Sequence, residues 1–299
     1  MGANDRQHRL AYGYALVAVF FWATSASAFK LSLNHISGLS LLLYASATSA
    51  VVFFIFVTVT GKLRQLRTFT KRDYLWSAGL GLLNPFLYYV ILFKAYSLLL
   101  AQEAQPINFV WPLTLVLLSI PLLHQRIKPR SILAIVISFV GVVVIALRIQ
   151  TPADLRDFRF TSAPGAALAL STTVVWSLYW IYNTRDRRDE TVRLFLNFVF
   201  ALAYIVVLLL VTGKFETPNW PGLAGGVYVG LFEMGITFLA WLRALKLAKT
   251  TAHVVNLIYL VPFLSLVIIA LVLGETILVS TVVGLVLIIT GIVLQKAWA

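Results

Sequence analysis

Ten stretches of about twenty apolar residues recur along this chain, and a helix needs about that length to cross a bilayer core of about 30 Å. They fall at 10–31, 39–60, 74–97, 103–124, 131–148, 164–183, 191–212, 222–246, 250–273 and 278–297. Hydrophobic residues make up 60% of the 299 and charged residues 12%, with a mean hydropathy of +0.90. Soluble domains average nearer half apolar and a quarter charged, so the chain reads as an all-α polytopic membrane protein. The first stretch follows Arg6 and Arg9 and contains Ala26-Ser27-Ala28, which resembles a signal-cleavage site. Its apolar run is long for a signal, and it is read as a retained helix.

The formal net charge of +13 does not indicate a nucleic-acid partner, because the cations are distributed by side. With the N-terminus inside, the inner segments hold most of the Lys and Arg residues, the densest being Lys62, Arg64, Arg67, Lys71 and Arg72. Both termini are therefore expected in the cytoplasm. The chain has no cysteine, and His8, His35, His124 and His253 form no metal-ligand spacing. No metal and no cofactor are expected. Intramembrane catalysis needs paired aspartates, a Ser–His pair or a metal cluster; none appears at mid-span, so no catalytic residue is assigned and the chain is not expected to be an enzyme.

The longest polar connection, about 149–163, divides the chain into five-helix halves, 1–150 and 151–299. Pro112 and Pro262, Gln125 and Glu275, and Gly141 and Gly291 each agree at an offset of 150 residues. An odd number of helices per half makes the second copy enter from the opposite side, so the expected architecture is two inverted repeats around a central cavity.

The fourth stretch carries Gln105-Pro106-Ile107-Asn108-Phe109-Val110-Trp111-Pro112 where a lipid-facing helix would have leucine. Each Pro removes a backbone N–H and frees a carbonyl one turn back. In hydrocarbon such groups need protein or a water-filled cavity to satisfy them. Two readings follow: one wall of a site for a ligand with a polar end and a flat apolar end, or a kinked packing helix whose amides bond to its neighbours.

Ten spans, cytoplasmic ends, a Pro-bearing fourth helix in each half and the pair Gly274-Glu275 resemble the EamA-like branch of the drug/metabolite transporter superfamily. Asn108-Phe109-Val110-Trp111-Pro112 further resembles the Asn-Tyr-x-Trp-Pro segment of bacterial aromatic-amino-acid exporters in that branch. Phe109 stands where they carry Tyr, so a role for that hydroxyl does not carry over. The resemblance implies a multi-pass protein of the bacterial inner membrane. Its implied activity is export of aromatic amino acids, and of other amino acids or related metabolites, by alternating access.

Helical spacing groups the candidate binding residues. Trp22, Ser25 and Phe29 share a face of the first helix, and Asn84 and Tyr88 are one turn apart in the third, around Pro85. The fourth helix offers Asn108, Phe109 and Trp111, the sixth Trp176 and Trp180, and the ninth Asn256 and Tyr259. Glu233, with Thr237 and Trp241, lies in the eighth and is the one acid near the centre of a span. An intramembrane acid faces the interior, where it serves either as a proton or amine partner or as a hydrogen-bonded packing residue. Facilitated transport is preferred to proton coupling because no second titratable group lies at mid-span. Pro85, Pro112 and Pro262 are candidate hinges. Gly226 and Gly230 form a G-x-x-x-G packing motif, and Gly284 and Gly291 favour packing, at a helix or at a subunit contact. Nucleotide sugars and phosphorylated metabolites would recruit several mid-membrane cations, which this chain keeps at its boundaries. The expected partners are the lipid bilayer and a small-molecule substrate.

Overall fold

The structure is a computed structural model that describes residues 3–124, 129–146, 149–151, 162–217, 219–247 and 256–298. Gln125, the charged connection 152–161 and His253 lie outside the described residues. The first helices are α1 (Ala3–Leu33), α2 (Gly38–Val59), a 3-10 helix (Lys62–Thr68) and α3 (Lys71–Gly81). After a π-type stretch (Leu82–Leu87) come α4 (Tyr88–Leu98), α5 (Ala101–Asn108), α6 (Trp111–Leu123), α7 (Pro129–Ala146), α8 (Ala163–Thr184) and α9 (Glu190–Thr212). Then follow α10 (Trp220–Tyr228), a second π-type stretch (Val229–Gly235), α11 (Ile236–Leu247), a 3-10 turn (Asn256–Tyr259), α12 (Leu260–Leu273) and α13 (Val279–Trp298).

Among the described residues, seven helices are long and apolar enough to cross a membrane, and three shorter apolar ones lie at the fifth, ninth and tenth expected positions. Large apolar side chains such as Val59, Val211 and Leu271 are about 80% exposed, as lipid-facing residues are. Three expected spans are not single regular helices. The third runs Lys71–Leu98 but breaks at Asn84, whose φ of −142° and ψ of 124° leave the helical region ahead of Pro85. The fourth starts earlier than expected, at Ala101, and divides into α5 and α6 because Pro112 has no N–H to give the Asn108 carbonyl. The eighth runs Trp220–Leu247 through the second π-type stretch. Pro262, one of the candidate hinges, is the third residue of α12, within the first turn, where backbone N–H groups have no acceptor inside the helix.

Starts and stops follow local chemistry. Ser37, Ser162, Asp189 and Asn219 cap α2, α8, α9 and α10 with side-chain oxygens. Thr70 and Asp73 form a reciprocal capping box at α3. Gly213 ends α9 in the left-handed conformation (φ 63°) that glycine adopts without strain.

Two compact units result: residues 1–86 with 187–268, and residues 87–186 with 269–299. Each unit draws on chain from both sides of residue 150. In the first, α2 packs on α9, α10 and the second π-type stretch, α1 on α11, and α3 on α9. The G-x-x-x-G pair sits at the α2 contact: a methyl group at Gly226 would lie 2.6 Å from Tyr44 Cβ, and one at Gly230 2.5 Å from Ala45 O. In the second unit α8 packs on α4, α5 and α6, and α7 on α13.

The α7–α13 pair runs antiparallel and has an internal regularity. Gly141 lies against Gly284 and Ile288, and Gly291 lies against Ala134 and Ser138. Adding 150 to 134, 138 and 141 gives 284, 288 and 291, so one contact is the other read from the opposite helix. Gly284 and Gly291 thus pack inside the chain against α7, because a bare Cα is what lets the two backbones approach.

Candidate functional site

The expected residues Tyr88, Asn108, Trp111, Trp176 and Trp180 come together in the second unit. The ends of α5 and α6 meet at Phe109–Val110, and α8 runs alongside both. The Asn108 amide nitrogen donates to Thr172 Oγ1 at 2.7 Å, and the Tyr88 hydroxyl donates to Asn108 Oδ1 at 3.2 Å. Ser177 Oγ donates to the Trp111 carbonyl at 3.1 Å, and Thr114 and Thr173 share a hydrogen bond of 2.8 Å. Asn108 therefore ties α4, α5 and α8 together. Tyr96, whose hydroxyl donates to Gln105 Oε1 at 2.6 Å, repeats the tie toward the start of α5.

These bonds hold a set of rings. Trp176 lies 4.8 Å from Tyr88, 6.5 Å from Trp111, 6.0 Å from Tyr179 and 5.9 Å from Trp180 between centroids. The tilted and edge-on angles suit aromatic quadrupoles. Tyr88 is buried, whereas Trp111, Trp176 and Trp180 are half-buried. Phe109 is 7% exposed, at the turn between α5 and α6. None of these residues carries a fixed charge. Two buried polar atoms on α8 have no hydrogen-bond partner among the described residues: Trp180 Nε1, a donor, and Asn183 Oδ1, an acceptor one turn further.

The other expected residues belong to the first unit. Trp22 packs edge-on against Trp241 (5.3 Å) and Phe238 (6.4 Å). Ser25, one turn along α1, donates to Glu233 Oε2, so α1 and the second π-type stretch are bridged at the intramembrane acid. Phe21 stacks on Phe232 at 4.6 Å, and Thr24 shares a hydrogen bond of 2.8 Å with Tyr228. Asn84 is 1% exposed at the break in the third span, and neither of its side-chain polar atoms has a partner among the described residues. Asn256 opens the 3-10 turn that Tyr259 closes, half-buried, before α12.

Two residues not singled out as site residues hold α5 in place. Glu275 accepts from the backbone N–H groups of Ala101 (3.1 Å) and Gln102 (3.2 Å), capping the α5 N-terminus. The Gln102 side chain donates to Thr276 O and accepts from Leu278 N and Thr281 Oγ1. The Gly274-Glu275 pair was the available signal, and the structure gives its carboxylate a scaffolding task.

The EamA-like transporter family model matches residues 9–147 and 163–295. The chain belongs to the EamA-like transporter family. An uncharacterized transporter of Clostridium kluyveri is 30% identical to this EamA-like transporter over 182 residues, covering 58% of this chain and 56% of that protein. The aromatic amino acid exporter YddG of Ancylobacter novellus is 28% identical over 169 residues, 56% of each chain. An uncharacterized transporter of Bacillus subtilis, YvbV, is 25% identical over 218 residues, 72% of this chain and 69% of its own. The matched region thus spans just over half the length of the first two relatives. One crystal structure aligns over 97% of both chains with a TM-score of 0.64 at 21% identity, a likeness of fold. Membership bears out the EamA-like resemblance read from the sequence.

Proposed function

We propose that this EamA-like transporter exports aromatic amino acids, and other amino acids or related metabolites, across the bacterial inner membrane by facilitated alternating access. The observation that carries this reading is the uncharged aromatic wall of Tyr88, Trp111, Trp176 and Trp180, with its unpaired donor and acceptor on α8. A flat side chain gains about 0.5–1.5 kcal/mol on an aromatic face beyond its buried area. A substrate carboxylate accepting from Trp180 Nε1 and an ammonium donating to Asn183 Oδ1 would relieve unpaired groups that cost about 1–3 kcal/mol each. The name of the Ancylobacter relative, an aromatic amino acid exporter, agrees with this assignment.

The proposed arrangement is ten transmembrane helices in two inverted repeats, 1–150 and 151–299, with both termini cytoplasmic. The exchange of Gly141 and Gly291 contacts at an offset of 150 supports it. The helix breaks beside Pro85 and Pro112 supply bending points for alternating access. A second reading is a proton-coupled exporter of drugs or metabolites, favoured by Glu233 and its bond from Ser25.

The test is uptake of labelled Phe, Trp, Tyr, Leu and Lys into proteoliposomes, with and without a pH gradient. Equilibration without a gradient supports facilitation. Accumulation that follows the gradient and is lost in Glu233→Gln supports proton coupling. If no amino acid moves faster than through empty liposomes while another solute does, the substrate class is wrong.

A further inference from the structure

The 3-10 helix Lys62–Thr68 joins α2 to α3 and carries chemistry that transport does not use. With three residues per turn, side chains three apart eclipse, so this helix has three faces. Leu63 and Leu66 form one and are half-buried. Lys62 and Gln65 lie on the second, also half-buried, where Lys62 pairs with Asp189 at 2.7 Å. Arg64 and Arg67 form the third, and both are exposed.

The helix is anchored from several sides. Tyr74 donates to Leu66 O at 2.8 Å, and Thr68 Oγ1 to Gln65 O at 2.8 Å. Beyond its end, Arg188 lies 5.2 Å over the Phe69 ring and donates to Asp73 O at 2.7 Å. The arginine face is thus held outward by a fixed backbone. Lys71 and Arg72, both exposed, extend it.

The nearby acids are committed elsewhere. Asp189 holds Lys62, Glu190 holds Lys246 at 2.9 Å, and Asp73 accepts from Thr70 N and Oγ1 at 2.8 and 2.6 Å. Among the described residues no acid is in ion-pair contact with Arg64, Arg67 or Lys71. On either side of this basic helix in the chain stand exposed apolar residues: Val59 at the end of α2 is 80% exposed, and Leu75 and Trp76 in the first turns of α3 are 73% and 39% exposed. An anion here would meet guanidinium groups on one side and hydrocarbon-facing side chains on the other.

We propose that Arg64 and Arg67, with Lys71 and Arg72, form a docking site for an anionic phospholipid of the surrounding bilayer. The two backbone positions lie about 6 Å apart along the axis at the 3-10 rise, close enough for both guanidinium groups to clasp one phosphodiester. The acyl chains lie along Val59, Leu75 and Trp76. A juxtamembrane basic cluster of this size is expected to attract anionic lipid, each cation contributing separately. The added feature is a rigid arginine pair that reads the phosphate itself rather than the diffuse surface charge.

The test is native mass spectrometry of the purified full-length protein in detergent, titrated with dioleoylphosphatidylglycerol or dioleoylphosphatidylcholine. Phosphatidylglycerol should be retained in preference to phosphatidylcholine. In the double variant Arg64→Gln/Arg67→Gln, phosphatidylglycerol should bind about tenfold more weakly or worse, with phosphatidylcholine unchanged. A second variant, Arg64→Lys/Arg67→Lys, keeps the charge but not the guanidinium fork and should bind phosphatidylglycerol a few-fold more weakly, between the natural chain and the Gln variant; binding equal to the natural chain would leave only diffuse charge and overturn the arginine pair. Equal retention of the two lipids by the natural chain, or undiminished phosphatidylglycerol binding in the Gln variant, would overturn the proposal. So would displacement of the lipid by millimolar glycerol 3-phosphate, which would make a free phosphate the ligand.

Discussion

Trp176 touches the rings of Tyr88, Trp111, Tyr179 and Trp180. Trp176→Ala should slow aromatic substrates about two- to twelvefold, the worth of one aromatic stacking contact, and Leu much less. The check is parallel uptake of labelled Phe and Leu into proteoliposomes; equal losses would assign the ring to packing alone. Trp180→Phe keeps a ring but deletes the unpaired N–H. It should raise half-saturation about three- to tenfold for zwitterionic substrates without lowering the unfolding temperature, since the deleted donor is unpaired in the empty protein. At this scale the sequence showed which side chains were unusual but not what they bond to. Asn108 and Trp111 stood out beside two prolines. Thr172, the partner of Asn108, did not, because a Thr in an apolar helix usually satisfies itself on its own backbone. Thr172 does that as well, donating to Ala169 O at 2.6 Å.

Among the elements, α5 is the most dependent on others. Eight residues form a helix too short to persist alone, and Glu275, far along the chain, caps its N-terminus. Glu275→Ala should lower stability by about 0.5–2 kcal/mol, read as a drop in unfolding temperature in detergent. Breaks in the third and fourth spans were legible from Pro85 and Pro112, since a missing N–H has a local effect. The Glu275 cap was not legible, because its donors belong to residues more than 170 positions away. At the start of α9, burial pushes the Asp189 carboxyl up. Hydrogen bonds from Lys62 and from the N–H groups of Val192 and Thr191, with the Lys62 charge, outweigh burial and hold it below its ordinary 3.8. A depressed carboxylate stabilises above its unfolded value, and that contribution is lost as pH falls through the folded one. Unfolding temperatures measured from about pH 5 down to about pH 3 should therefore fall less steeply in Asp189→Asn than in the natural chain.

For the whole molecule, the absence of cysteine makes orientation simple to test on the natural background. Arg64→Cys and Lys214→Cys place single thiols at exposed positions. An impermeant maleimide should label the first only from the cytoplasmic side and the second only from outside; the reverse pattern would invert the topology. Apolar lengths located seven long apolar helices and three shorter ones among the described residues, and the charge pattern suggested a direction for them. The division into compact units was not legible, because each unit is assembled from distant segments. Contact between segments depends on which small residues meet, as along α7 and α13. There Ala134, Ser138 and Gly141 meet Gly284, Ile288 and Gly291 in an antiparallel crossing that maps onto itself. Such a contact is isologous, the kind that two identical subunits form about a two-fold axis. A half-length chain able to insert in both directions would therefore already carry the whole of this one helix–helix contact on a single helix.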